Sequence, residues 1–307
     1  MRRKAIIFAV TTTFLWSGSY ILNKLAFQGN IGPITLSGLR YLIASLFLIA
    51  LGKGKRQKGD NKFSPWLIIV LGLLGYSLAQ GLQYLGQSYL TPTQSSLLLS
   101  VGNTMCIMLA DMVWLRENQT KQDFVKLLFL IVGIAVFYYP WGTSSFSAAG
   151  MIFMFLSSIG YALNMTLNRR LLTGKKIRAG ALTAQPMLVG AVVLLAAGIA
   201  VEGIPTITYR LLLILAYLSL VSGALGFYLW THSQKHLTAF ESSSINNFML
   251  IEIALLDLFV FNRSFSIHQI IGIMIVFGAI LSIQFKRMIT ARDKTYQIKP
   301  SKQEELL

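Results

Sequence analysis

The sequence predicts an all-α polytopic membrane protein, with ten transmembrane helices in two five-helix repeats of opposite topology. Three observations lead there. Of 307 residues, 54% are apolar and 12% charged, with a mean hydropathy of +0.62, whereas about a quarter of a soluble domain is charged. Lys and Arg cluster in alternate connections between long apolar runs. The chain also matches itself at a spacing of roughly 145–147 residues.

The apolar runs place spans at about 5–27, 33–52, 65–89, 93–115, 122–140, 148–170, 181–201, 208–234, 239–261 and 267–286. The first follows Met1-Arg2-Arg3-Lys4 and looks like a signal peptide. Its apolar stretch is too long and no small-residue cleavage site follows, so it is expected to stay as a span. Short separators such as Gly29-Asn30-Ile31-Gly32-Pro33, Thr91-Pro92-Thr93 and Pro140-Trp141-Gly142 set successive helices side by side and antiparallel.

Basic residues fix the expected orientation. Arg2, Arg3 and Lys4, then Lys53–Lys62, Arg116–Lys126, Arg169–Arg178, Lys235 and the tail from Lys286 fall on one side of a ten-span chain. The other side carries only Arg210 and Arg263. Both termini are thus expected in the cytoplasm, with the protein in the cell membrane. The net charge of +16 does not point to nucleic acid, because these clusters form no continuous basic face.

The self-match pairs Leu90-Thr91 and Ser95-Ser96 with Leu237-Thr238 and Ser242-Ser243, Gln87 with Gln234, and Asn23-Lys24 with Asn168-Arg169. The expected units are a five-helix repeat at 1–143, a second at 144–288 and a basic cytoplasmic tail at 289–307. An odd number of spans per repeat inverts the second relative to the first, an arrangement used for alternating access.

Within this frame, Phe14-Leu15-Trp16-Ser17-Gly18-Ser19-Tyr20 and Asn23-Lys24-Leu25 resemble the first helix of EamA-type members of the drug/metabolite transporter superfamily. Arg40 in Leu39-Arg40-Tyr41-Leu42 resembles that family's second-helix arginine. Trp114-Leu115-Arg116-Glu117 is similar to the turn ending its fourth helix, and Gln269-Ile270-Ile271-Gly272 with Gly278 to its last. The resemblance covers the chain and implies a central cavity and secondary export of amino acids, amines or similar metabolites. It departs from the family at Asn103 and Leu250, where prolines are usual, and near Asn262-Arg263, where a glutamate is usual.

A charge at the bilayer centre costs about 2.5–3.5 kcal/mol on insertion scales, so each one needs a reason. Glu252, near the middle of the ninth span, is the candidate for binding a proton or a cationic substrate; Asp257 and Asp111 are secondary candidates. Lys24 and Arg40 are expected near span ends, where they snorkel to headgroups or hold an anionic group. The expected substrate cavity takes Trp16, Tyr20 and Asn23 from the first helix, and Tyr76, Gln80 and Gln83 from the third. To these it adds Asn103, Tyr161, Asn164, Tyr228, Trp230, Asn246 and Asn247. Tyr76, Gln80 and Gln83 are spaced to share one face.

No cofactor or metal is expected: Cys106 is the single cysteine, the three histidines are scattered and no phosphate-binding Gly-rich loop is present. The expected partners are a small-molecule substrate and the lipid bilayer. The competing classes are a membrane-embedded enzyme, disfavoured by the absence of clustered acids and histidines, and a scaffold, disfavoured by short outer loops.

Overall fold

The computed structural model describes residues 2–29, 31–52, 64–114, 121–141, 147–174, 181–233, 236–237, 242 and 245–283. The side chain of Asp111 and the basic clusters at 53–62 and beyond 283 lie outside the described residues.

All regular structure among the described residues is helical. The helices are α1 (Arg2–Phe27), α2 (Pro33–Gly52), α3 (Pro65–Tyr89), α4 (Pro92–Trp114) and α5 (Lys121–Phe137). After these come α6 (Ala148–Gly174), α7 (Ala181–Glu202) and α8, which starts at Tyr209 and runs to Ser233. The last two are α9 (Met249–Phe261) and α10 (Ile267–Ile283). Proline opens α2, α3 and α4, where a missing N–H costs nothing.

Among the described residues, six helical stretches are long and apolar enough to cross a membrane, including Arg3–Phe27, Pro65–Tyr89 and Tyr209–Trp230. The ninth element differs from the continuous span expected at 239–261. Residues 245–247 are helical, Phe248 is a turn, and the helix restarts at Met249. The Ile251 and Glu252 amides both donate to Phe248 O, which closes the new first turn. Glu252 therefore stands in the first turn of a 13-residue helix rather than at the centre of a long one.

Two helices widen in the middle. Leu73–Gly81 of α3 and Tyr217–Leu225 of α8 are π-helical, and lie roughly 145 residues apart. Single π-turns cluster at functional sites because the extra residue per turn loosens the backbone ladder.

The lipid-facing surface is apolar: Ile7, Val10 and Phe14 of α1 and Leu128 and Phe129 of α5 are more than 45% exposed. Trp66, Tyr89, Tyr139, Trp141 and Tyr209 are exposed at helix ends, the level at which amphipathic rings favour the headgroup boundary. The inner face of α1 reverses the soluble pattern. Thr12, Thr13, Ser17, Ser19 and Asn23 are at most 3% exposed, so the bundle interior is polar where α1 meets it.

Helices touch closely where side chains are small. A Cβ on Gly38 of α2 would lie 2.7 Å from the Leu195 amide nitrogen of α7, and one on Gly198 would meet Thr35. Close backbone approach is how helices gain packing energy in lipid.

One end of the bundle is pinned by charge placed on helix termini. Glu202, at the end of α7, accepts hydrogen bonds from the Ile34 amide (2.9 Å), the Thr35 amide (2.8 Å) and Thr35 Oγ1 (2.7 Å), capping α2. Lys24 donates from Nζ to the carbonyls of Ser88 (3.0 Å) and Leu90 (2.8 Å), closing α3. Both place the sign of charge that the helix dipole favours. Gly32 makes room for Glu202, since a Cβ there would lie 2.1 Å from the carboxyl carbon. Gly32→Ala is expected to displace the carboxylate and lower stability by about 1–2 kcal/mol, the usual cost of a lost cap. Glu202→Ala should cost a similar amount, and the double variant little more than either, because both remove one cap. Melting temperatures of the three variants in nanodiscs check this.

Candidate substrate site in the bundle interior

The polar interior is built around α1. Trp16 donates from Nε1 to Ser222 O at 3.0 Å and packs its ring against Phe227 and Trp230, at centroid distances of 5.5 and 5.3 Å. Ser19 shares a 2.5 Å hydrogen bond with Ser222 Oγ. The π segment of α8 is thereby tied to α1 through Ser222. Tyr217, at the start of that segment, donates to Leu15 O at 3.2 Å.

The π segment of α3 packs on α6 and α7, where Ser157 donates to Ala79 O and Ser77 to Gly190 O, and it reaches α2 through side chains. Tyr41 donates to Gln80 Oε1 at 2.6 Å, and its ring meets Tyr76 edge-on at 5.5 Å. Gln83 donates to Tyr20 of α1 at 3.2 Å. The single-face stripe expected for Tyr76, Gln80 and Gln83 is thus split: the first two serve α2 and the third α1. The wide π turn separates them. Asn23, 1% exposed, donates to Gln87 Oε1 at 2.7 Å.

Arg40 does not reach out of the bundle as a snorkelling side chain would. It is 8% exposed, with Nη1 donating to Tyr84 OH at 2.5 Å and Nη2 to Ser222 Oγ at 3.2 Å. Its guanidinium lies 5.3 Å from the Tyr41 ring centroid. Among the described residues, Tyr20, Tyr41, Tyr84 and Tyr217 are the ionisable groups around it, and Tyr161 stands beside Tyr20. Tyr41, Tyr84, Ser19 and Ser222 escape a reading for polar residues alone, because Ser and Tyr in apolar runs are common.

Other expected residues do not share these hydrogen bonds. Asn164 donates to Leu71 O at 3.1 Å and accepts from Asn168 at 2.9 Å, joining α6 to α3. Half-buried Asn103 and Asn247 each hold a buried amide atom without a partner, Oδ1 and Nδ2 respectively. Asn246 is half-buried beside Asn247. Tyr228 is 65% exposed on the outer surface, against His232, and the structure does not bring it to the interior group.

The two described acids of α9 face different helices. Glu252 accepts from Thr13 Oγ1 at 3.0 Å and Ser17 Oγ at 2.7 Å, both on α1. Fully buried Asp257 accepts from the Thr93 amide at 3.2 Å and Thr93 Oγ1 at 2.7 Å, at the start of α4. Arg263 Nε lies 3.4 Å from the other Asp257 oxygen. No group of three or more metal-ligating side chains converges among the described residues.

A family model described as the EamA-like transporter family matches the chain over residues 3–139 and again over 148–285. An uncharacterized transporter of Archaeoglobus fulgidus is 24% identical over 300 residues, covering 95% of this chain and 99% of that one. The uncharacterized transporter YyaM of Bacillus subtilis is 23% identical over 269 residues, covering 83% and 85%. A solved crystal structure superposes with a TM-score of 0.67 over 94% of this chain and 99% of its own, at 16% identity, which speaks to the fold alone.

Proposed function

This chain belongs to the EamA-like transporter family and is an integral membrane transporter, and from that premise we propose that it exports a small amphipathic metabolite, such as an amino acid or amine, by alternating access. The reading takes ten helices in two inverted halves, with both termini cytoplasmic, in the plasma membrane. The directions of the helices support it: α1 runs toward the Glu202 end, whereas α6 starts there, with Gly150 against Leu90 at the end of α3.

The observation that carries the proposal is the pair of π segments. They stand at matching places in α3 and α8 and bracket α1 and α2 with interior polar contacts from both sides. Two halves that rock about one midplane site need helices that deform locally, and the looser π ladder provides that. Trp16, Tyr20, Tyr76 and Tyr161 offer ring faces, and Gln80 and Gln83 offer amides, to a solute with both apolar and polar parts.

Proton coupling is assigned to Glu252. In its charged state Thr13 and Ser17 donate to it. In its neutral state it donates to one hydroxyl, whose own proton turns to a backbone carbonyl. Both alternatives are in place, since Thr13 Oγ1 lies 2.9 Å from Val10 O and Ser17 Oγ 2.8 Å from Thr13 O. Proteoliposomes loaded with phenylalanine, tyrosine, phenethylamine or tyramine test the function. Solute movement that accelerates with an imposed pH gradient is expected; if none of a broad panel of amino acids and amines moves with or without the gradient, the reading is wrong.

A further inference from the structure

We infer that Arg40 is the anchor for a carboxylate of the transported solute, an assignment that rests on the transporter reading above. Arg40 carries a full charge at 8% exposure, inside a bundle whose outer surface is apolar. Every other cation with described side-chain contacts at the Glu202 end has compensation: Lys24 sits on three carbonyls, and Arg263 sits beside Asp257. Arg40 has a phenol, a serine and tyrosine faces, but no carboxylate among the described residues around it. A buried charge without a counter-ion is costly, and replacing such a group by an apolar one of similar volume often stabilises a protein. Its presence points to a counter-ion that arrives from outside.

The geometry of the guanidinium says what that counter-ion is. Nε is buried with no hydrogen-bond partner, and Nη2 makes only the 3.2 Å contact to Ser222. These two nitrogens form one edge of the planar fork, the edge that binds a carboxylate with two parallel hydrogen bonds. Ser219, on the same π segment as Ser222, has a buried hydroxyl that is also without a partner. One guanidinium with no second cation beside it among the described residues matches a monoanion, which favours a carboxylate over a phosphate ester. Half-buried Tyr20 lies beside Arg40, with Tyr161 beyond it, so an apolar or aromatic body attached to that carboxylate meets ring faces.

The probes are phenylalanine, 3-phenylpropionate, phenylalaninamide and phenethylamine, titrated against the full chain in nanodiscs. The two acids are expected to bind and to raise the melting temperature, and the amide and the amine to bind at least about tenfold more weakly. Arg40→Met should weaken acid binding by about 10- to 100-fold while the ligand-free protein melts no lower than wild type. A merely structural arginine would instead lower that melting temperature and leave the preference for acids intact. Equal binding of acid and amide, no acid binding at all, or unchanged acid affinity in Arg40→Met overturns the inference. Should Arg40→Met fail to fold, Arg40→Lys keeps the charge without the fork. It must lower acid affinity, and wild-type affinity in that variant is equally fatal. Counterflow separates the two readings. Acid binding through Arg40 with no solute movement would end the transport reading alone, whereas amine transport indifferent to Arg40 would end only the anchor.

Discussion

Glu252→Gln is expected to flatten the pH dependence of transport and abolish gradient-driven accumulation, while solute exchange continues within about threefold of wild type. Wild-type Glu252 has two bonding states with α1. Deprotonated, it draws the Thr13 and Ser17 hydroxyls toward itself at 3.0 and 2.7 Å. Protonated, it releases one of them to the α1 backbone. Hydrogen bonds to a charged group are worth about 1.5–3 kcal/mol and neutral ones about 1, so protonation weakens the hold of α9 on α1 by on the order of 1–2 kcal/mol. That shifts a two-state equilibrium by roughly 5- to 30-fold. Movement should therefore quicken as pH falls and slow as pH rises through the carboxyl's titration. Glutamine keeps an acceptor and a donor for the two hydroxyls but has one state, so the packing survives and the switch does not. Transport rates from pH 5.5 to 8.5 in proteoliposomes check this. A Glu252→Gln profile with the wild-type slope would remove Glu252 from the coupling.

Much of this architecture is written in the sequence as plain hydrophobicity. The apolar runs locate most helices to within a few residues, because a span must exceed a fixed length and Pro33, Pro65 and Pro92 punctuate the starts. The interior is less legible. Arg40 has the same hydropathy whether it snorkels or is buried, and only the path of α2 against α3 and α8 decides. Glu202 reads as a polar end to an apolar run, yet it caps a helix through Ile34, which lies 168 residues earlier in the chain. The π segments have no recognisable signature, since the extra residue per turn depends on what the helix packs against. The break at Phe248 follows two asparagines, whose amides compete with the helical backbone. That local signal is present, but the apolar context on both sides of it argues for a continuous span.

The second large effect concerns Asp257, and it should be one of stability without coupling. Asp257→Ala is expected to lower stability by about 2–4 kcal/mol. The loss leaves the buried Thr93 amide and hydroxyl without an acceptor, and removes a negative charge from the N-terminus of α4. The Arg263 partnership contributes less, because that side chain is 36% exposed and can turn to water or headgroups. Asp257→Asn should cost only about 1 kcal/mol, since an amide oxygen still accepts from Thr93. Asn262 supports the arrangement. Its backbone is left-handed, with φ of 51°, and it ends α9 so that Arg263 folds back toward Asp257; asparagine tolerates this conformation better than most residues. Two acids five positions apart on one helix thus predict opposite phenotypes. Glu252→Gln should melt like wild type and lose its pH response, whereas Asp257→Ala should melt several degrees lower while the folded fraction keeps the wild-type pH profile. If Asp257→Asn abolished the pH response while melting normally, the proton would have to be reassigned from the α1 contact to the α4 cap. The α1 hydroxyls argue against that outcome: Thr13 and Ser17 each have a second acceptor to turn to, whereas the Thr93 amide hydrogen cannot rotate to another acceptor.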